Sequence, residues 1–416
     1  MTFAVNIIRK FEYNKYIEKR KGEKVMKIRY FDNAATTRVK EEVLNEMLPY
    51  FSEQYGNPSS LYSIGRSAKK KVEEARKKVA KLINCNPNEI YFTGCGSESD
   101  NTAIKGIAYA NKNRGKHIIT SKIEHPAVLH TCQMLEKNGF KVTYLDVDKN
   151  GIINLEQLRN SIRNDTILIS IMYANNEIGT IQPIAQISRI AKMYNIVFHT
   201  DCVQACGNVP IDVKKIGIDM LSMSGHKLYA PKGIGALYVK NGIEFEKFMD
   251  GGHQEKNKRG GTENVPGIIG LGKACELANI NLENHMKHLQ ELRDYYIKQV
   301  EEKIPYVYLN GSREKRLPGN ANFSFQFIEG ESLLLNLDAK GICASSGSAC
   351  TSGSTEPSHV LTAIGLHKDI AQASLRVTFG EDNTKEDVDY LVENLIEVVN
   401  KLRGMSPEYN EFVRNK

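Results

Sequence analysis

From about residue 66 onward, short and nearly uninterrupted apolar runs alternate with amphipathic stretches of helical period. Residues 66–83 place Val72, Ala75, Val79, Leu82 and Ile83 on one helical face, with Lys, Arg and Glu opposite. Ile90-Tyr91-Phe92-Thr93 reads as a strand, and the turn Gly94-Cys95-Gly96-Ser97 leads into a second helix. His117–Thr120, Phe140–Leu145, Thr166–Tyr173, Ile196–Asp201 and Asp219–Met223 read as further strands. Helices fall between them: one opened by Pro126 and closed near Gly139, others near 155–163 and 184–194. Strands this apolar need cover on both faces, so the pattern predicts an α/β fold with a mostly parallel, helix-covered sheet. Functional side chains are then expected beyond the carboxyl ends of the strands.

After about residue 270 the pattern changes. A long helical run from Leu271 to about Lys303 ends near Pro305. Strand-like Asn322–Phe327, a Ser/Gly-rich stretch and a last helix from Lys385 to about Leu402 follow. This predicts a large domain over residues 38–275 and a smaller α+β domain from 276–416, joined by 27–37. Residues 1–26 carry seven Lys/Arg against three Glu and read as a basic extension, frayed or upstream of a second start at Met26. Net charge is +7, and four of those charges lie in that extension. The body has no basic stripe interleaved with aromatics, so no direct nucleic-acid binding is expected. No apolar run approaches the ~20 residues of a membrane span, and no apolar secretory core precedes the body. Eight cysteines (85, 95, 132, 202, 206, 275, 343 and 350) form no CxxC pair. In a 416-residue chain they read as reduced thiols of a cytoplasmic protein.

One of those thiols stands apart. Cys350 sits inside Ser345-Ser346-Gly347-Ser348-Ala349-Cys350-Thr351-Ser352-Gly353-Ser354, a run with almost no apolar surface to bury. A single nucleophilic sulfur on a chain of small polar residues suggests sulfur chemistry with delivery. Lys227, in Ser224-Gly225-His226-Lys227, follows an apolar strand. A free lysine, with a pKa of about 10.4, is a poor base at neutral pH, whereas one linked to an aldehyde cofactor is not. Taken alone, a surface lysine in a turn is the plainer account. Asp201 ends a strand where it could pair with a pyridinium nitrogen, although strand-end aspartates are common. The Gly94–Ser97 turn opens a helix whose first backbone N–H groups suit a phosphate. The phosphate turn, His125, Asn176, Asp201 and Lys227 occur in that order, each after a strand of one sheet.

This order and these motifs resemble the fold-type-I pyridoxal-phosphate enzymes, and within them the cysteine desulfurases of the NifS/IscS type. The resemblance runs from about Tyr30 to about Pro407. It is carried by Asp32-Asn33-Ala34-Ala35-Thr36-Thr37, Tyr55-Gly56-Asn57-Pro58-Ser59-Ser60, Glu98-Ser99-Asp100-Asn101, Asn175-Asn176-Glu177-Ile178-Gly179, Ser224-Gly225-His226-Lys227 and Arg259-Gly260-Gly261-Thr262. The Cys350 run, continued as Glu356-Pro357-Ser358-His359-Val360, resembles the family's nucleophile loop.

The resemblance implies pyridoxal 5′-phosphate on Lys227, with Asp201 at the ring nitrogen and Gln204 at the phenolic oxygen. Gly96, Ser97, Ser224 and His226 match phosphate contacts; relatives often carry Ala-Thr where this chain has Gly96-Ser97. His125 matches the ring-stacking acid–base histidine, although its place before Pro126 also suits a helix cap. Asn176 and Arg376 match groups that receive the substrate carboxylate, and Asn33 is expected in the same pocket. Thr262 matches a residue reaching the cofactor of a neighbouring subunit, which implies a homodimer. Cys350 is the implied persulfide carrier and a candidate transient iron–sulfur ligand. L-cysteine is the implied substrate, and an iron–sulfur scaffold or a tRNA-thiolation protein the implied acceptor. Two alternatives stay open: a selenocysteine lyase, and a cofactor-free scaffold for cluster assembly.

Overall fold

The computed structural model describes residues 27–346 and 357–416. The basic extension 1–26 and the nucleophile candidate Cys350 lie outside the described residues. In chain order the strands are β1 (Arg29–Tyr30), β2 (Ile90–Thr93), β3 (His117–Ser121), β4 (Lys141–Leu145), β5 (Thr166–Ser170) and β6 (Val197–Asp201). They continue as β7 (Met220–Ser224), β8 (Gly235–Val239), β9 (Val307–Leu309), β10 (Asn320–Phe325), β11 (Ile342–Cys343) and β12 (Ser374–Thr378). The principal helices are α1 (Ser63–Leu82), α2 (Gly96–Ala110), α3 (Pro126–Lys137), α4 (Ile184–Met193), α5 (Val265–Lys303) and α6 (Lys385–Met405).

Seven strands form the central sheet in the order β2-β8-β7-β6-β5-β3-β4. Neighbours from β7 to β4 pair in parallel, while β8 runs antiparallel to both β7 and β2. The fold is therefore α/β with a mixed, mostly parallel sheet. The sequence reading had not marked β8: Gly235-Ala236-Leu237-Tyr238-Val239 is apolar, but no amphipathic helix separates it from β7. Residues of β3, β5, β7 and β8 are buried throughout, as expected for a sheet covered on both faces.

A three-stranded antiparallel sheet, β12-β10-β9, and the parallel pair β1-β11 lie apart from it. Asp32 bridges to Thr378, so the N-terminal strand runs on to β12. Two hydrophobic cores follow this division. One gathers Phe198, Leu221 and Ile269; another gathers Phe31, Tyr296, Phe323, Leu375 and Leu395. The 39-residue helix α5 reaches into both: Ile268, Leu271 and Cys275 bury in the first, Leu292, Tyr296 and Val300 in the second. At ~1.5 Å per residue it is about 58 Å long. It begins six residues before the expected Leu271, because the Asn264 side chain caps Gly267 N at 3.1 Å and Pro266 fits the first turn. Helix α6 starts at Lys385 as the sequence suggests, held by a reciprocal Thr384–Asp387 capping box.

Candidate active site

The carboxyl ends of β2, β3, β5, β6 and β7 face one side of the sheet, and the turns that follow them enclose a cavity of about 240 Å³. Gly96 opens α2 at its rim. A Cβ at this position would stand 2.7 Å from Val203 Cγ2 and 3.3 Å from Ser224 Cβ, so beside Val203 a glycine lets α2 begin close to the turn after β6 without displacing that side chain. Cys95 caps the helix, its Sγ accepting from Glu98 N at 3.4 Å. Glu98 accepts from Gly94 N at 2.7 Å and from Arg259 Nε at 2.9 Å, which ties the turn to the Arg259–Thr262 segment.

Lys227 follows β7 in a short 3₁₀ turn, and its Nζ donates to the carbonyls of Ala34 and Ala35. Gln204 Nε2 donates to the same Ala34 carbonyl at 3.0 Å. The Asp32–Thr37 segment thus lies across the mouth of the lysine turn. His226 fixes it from the other side: its carbonyl accepts from Thr37 N at 2.9 Å and its Nδ1 lies 3.2 Å from Thr36 Oγ1. Burial, then the charges of Lys227 and Lys232, lowers the His226 imidazole to about 4, so it is neutral at physiological pH.

Asp201 ends β6 with its Oδ1 accepting from Val203 N at 2.9 Å. Burial raises its carboxyl, opposed by His125, the Val203 N–H and Lys227. His125 caps α3, its Nδ1 accepting from Ala127 N at 3.1 Å, and it lines the cavity as well. The helix-cap account and the cavity account therefore hold together. The capping bond puts the ring proton of the neutral form on Nε2. Burial lowers this imidazole, Asp201 works in the opposite sense, and Lys227, His359 and His130 lower it further.

Arg376, on β12, is 1% exposed. Its Nη2 donates to Asp32 Oδ1 at 2.8 Å and its Nη1 to the Asn176 carbonyl at 3.0 Å. Its Nε is buried without a hydrogen-bond partner among the described residues. A buried donor left this way costs about 1–3 kcal/mol, so the guanidinium has a place for an incoming carboxylate. Ser97, Asn176 and Ser224 line the same cavity. Asn33 does not: its amide donates to Thr378 O at 2.8 Å and it lines a neighbouring space of about 40 Å³. Thr262 is exposed and lines neither. Among the described residues, no group of His, Cys, Asp and Glu has metal-binding geometry.

Asp32 lies within the Asp32–Thr37 motif, but its partner Arg376 stands 344 positions away, so sequence spacing does not show its contact. Glu124 and Glu177 are likewise placed by partners on other elements. Glu124 is fully buried, accepts from Ser121 Oγ at 2.6 Å and Met172 N at 3.0 Å, and is raised to about 8 chiefly by burial.

The residue 29–391 span matches the family described as "Aminotransferase class-V". The chain belongs to the class-V aminotransferase family. A cysteine desulfurase IscS of Methanosarcina thermophila is 59% identical over 378 residues, 91% of this chain and 93% of that protein. A solved NifS-like protein, 39% identical, superposes with a TM-score of 0.85 over 90% of this chain and all of its own. A structure of SspA in complex with cysteine, 40% identical, gives 0.76 over 84% of this chain and 98% of that one. Within the family the chain therefore sits among the IscS-type cysteine desulfurases. Class-V aminotransferase members use pyridoxal 5′-phosphate, and the cavity suits it: a glycine-opened helix N-terminus, a lysine at a strand end and a buried aspartate face one space.

Proposed function

We propose that this chain is a pyridoxal-phosphate-dependent cysteine desulfurase, converting L-cysteine to L-alanine and leaving the sulfur on Cys350 as a persulfide. The observation that carries the reading is that Lys227, Asp201, His125 and Arg376 line one cavity, with the Arg376 Nε buried and without a hydrogen-bond partner among the described residues. When bound, the cofactor supplies an electron sink next to the substrate's α-carbon. Lys227 would hold it, with Asp201 placed for its ring nitrogen and Gln204 for its phenolic oxygen. Gly96, Ser97, Ser224 and His226 hold its phosphate. Arg376 and Asn176 orient the substrate carboxylate, Asn33 supports their surroundings through Thr378, and Lys227 Nζ takes the α-proton. His125 Nε2–H is a proton donor on the cavity side. The thiolate of Cys350 attacks the substrate sulfur: an S–S bond forms, the Cβ–S bond breaks with its electron pair left on carbon, Cβ takes a proton, and Lys227 Nζ returns the α-proton to Cα so that alanine leaves.

The flanks of the Cys350 segment support this role. Ser345 pairs with the Arg376 backbone and donates its hydroxyl to Asp32 Oδ2 at 2.7 Å; Ser358 donates to Glu177 Oε2 at 2.5 Å. Cys350 stands five positions beyond Ser345, a reach of at most about 18 Å in an extended chain. In Cys350→Ala the visible band of bound cofactor should persist while persulfide formation is lost. Lys227→Ala should lose the wild-type band. Sulfur transfer retained in either variant would sink the assignment.

The same reading makes the protein a homodimer, with Thr262 reaching the neighbouring copy's cofactor. Its support is an apolar surface at Phe51, Tyr55, Leu61 and Tyr62, all largely exposed, beside the Tyr55–Ser60 motif. Residues 38–275, and 27–37 with 276–416, are the two domains of this reading, supported by their separate cores. The acceptor is an iron–sulfur scaffold or a tRNA-thiolation protein, with Cys350 a transient cluster ligand in the first case. The reading places the protein in the cytoplasm; its support is that all seven described cysteines are free thiols. Among the described residues no helix is long and apolar enough to cross a membrane.

A further inference from the structure

A layer of polar side chains lies beneath Asp201, where α2 packs on the sheet. His199 precedes Asp201 by two positions on β6 and so points to the same face. Its ring is fully buried, with Nδ1 2.9 Å from Ser170 Oγ on β5 and Nε2 2.9 Å from Ser222 Oγ on β7. Asp100 comes down onto this layer from α2, its Oδ1 3.7 Å from His199 Nε2, beyond hydrogen-bond reach. Asp100 is 1% exposed, lines the cofactor cavity, and its Oδ1 has no hydrogen-bond partner among the described residues. The mechanism above uses neither Asp100 nor His199.

We propose that Asp100 is a positioning residue for the cofactor ring: a neutral carboxyl that confines the negative charge to Asp201 and completes its own contacts only when the ring is seated. The proposal rests on the reading of Asp201 as the partner of the ring nitrogen. Two carboxyls lining one buried cavity do not both ionise readily. Their surroundings assign the charge. Asp201 accepts a backbone N–H and has His125 and Lys227 to favour its ionised form. Among the described residues, Asp100 has no cation facing it. Asp201 and His199 face it from β6, Ser222 from β7, and Glu124 from the turn after β3. Burial holds the His199 imidazole down to about 3, so it offers no positive charge. Burial, and then the charge of Asp201, raises the Asp100 carboxyl; the Ser222 hydroxyl opposes this and Glu124 adds to it. A second carboxylate beside the ring would compete with Asp201 for the same proton, whereas a neutral acid can donate to a group that enters the cavity.

The test uses the cofactor-loaded protein and reads no turnover. Infrared difference spectra between wild type and Asp100→Asn should show a protonated carboxyl at neutral pH. Asp100→Asn, of the same shape and neutral, should keep the wild-type cofactor affinity and the wild-type pH midpoint of the visible band. Asp100→Ala should bind cofactor about tenfold more weakly, the equivalent of one lost hydrogen bond, and shift that midpoint. A carboxylate signal in the infrared overturns the proposal, as does an Asn variant as impaired as the Ala variant. So does an Ala variant with unchanged affinity and midpoint, which would make Asp100 a packing residue. Asp201→Asn is the control. A wild-type midpoint in that variant overturns the Asp201 reading itself, whatever the Asp100 variants do.

Discussion

Gly96 and Val203 occupy each other's margins. An alanine at position 96 would put a methyl 2.7 Å from Val203 Cγ2, and a β-branched side chain has little χ1 freedom to move aside. Gly96→Ala alone should therefore lower cofactor affinity, by roughly tenfold for a strain of 1–2 kcal/mol. Gly96→Ala with Val203→Ala should recover most of the loss, and cofactor titration followed by fluorescence checks both. At this scale the sequence was readable where chemistry and strand ends coincide. Lys227, Asp201 and His125 each stand just past an apolar run. The contacts of Asp32 and Asp100 were not readable, because their partners stand on other elements. Asn33 shows the opposite failure: a motif residue next to Ala34 whose side chain turns to the Thr378 carbonyl instead of the cavity.

Among the elements, the segment before Thr262 is the least regular. Glu255, Lys256 and Asn257 have φ of 44°, 58° and 65°, a left-handed run without glycine. Such residues cost roughly 1–2 kcal/mol each, so something must hold them. Glu255 does so: its carboxylate takes both Nη atoms of the buried Arg76 at 2.8 Å and the Phe92 N–H at 2.8 Å. Glu255→Ala leaves Arg76 buried without that partner, and urea unfolding should show a loss of about 3–5 kcal/mol. An unchanged midpoint would mean the ion pair does not hold the turn. No propensity in Gln254-Glu255-Lys256-Asn257 announces this conformation, since it is imposed by an arginine 179 positions earlier. Strand β8 escaped for a related reason. It returns antiparallel straight from the lysine turn, so the strand–helix rhythm that marked β3 to β7 is absent there.

For the whole molecule, buried ionisable groups set a pH profile. His117 and His226 are lowered to about 4 and His199 to about 3, each chiefly by burial. Their folded forms bind fewer protons than the unfolded chain, so stability rises with pH until about 6.5 and is then level. Glu124 acts in the other direction. Raised from 4.5 to about 8, it keeps its proton in the folded state while the unfolded chain has lost it, so stability falls as pH rises to about 8. Between pH ~6.5 and ~8 the Glu124 contribution amounts to about 2 kcal/mol. Thermal unfolding of Glu124→Gln should lack much of the wild-type decline across that interval, and equal slopes would refute the assignment.

Arg376 donates to Asp32, so the carboxylate seat joins the first described strand to one only 40 positions from residue 416. The lysine, the aspartate and the phosphate turn are all complete by residue 227. During synthesis, Lys227, Asp201 and the Gly94–Ser97 turn are made well before Arg376, the residue proposed to receive the substrate carboxylate. The order of residues along the chain thus imposes an order in time. Ser345 and Ser358, which flank the proposed thiol segment, also precede Arg376, so under the proposed reading the substrate seat is the last part of the site to be made.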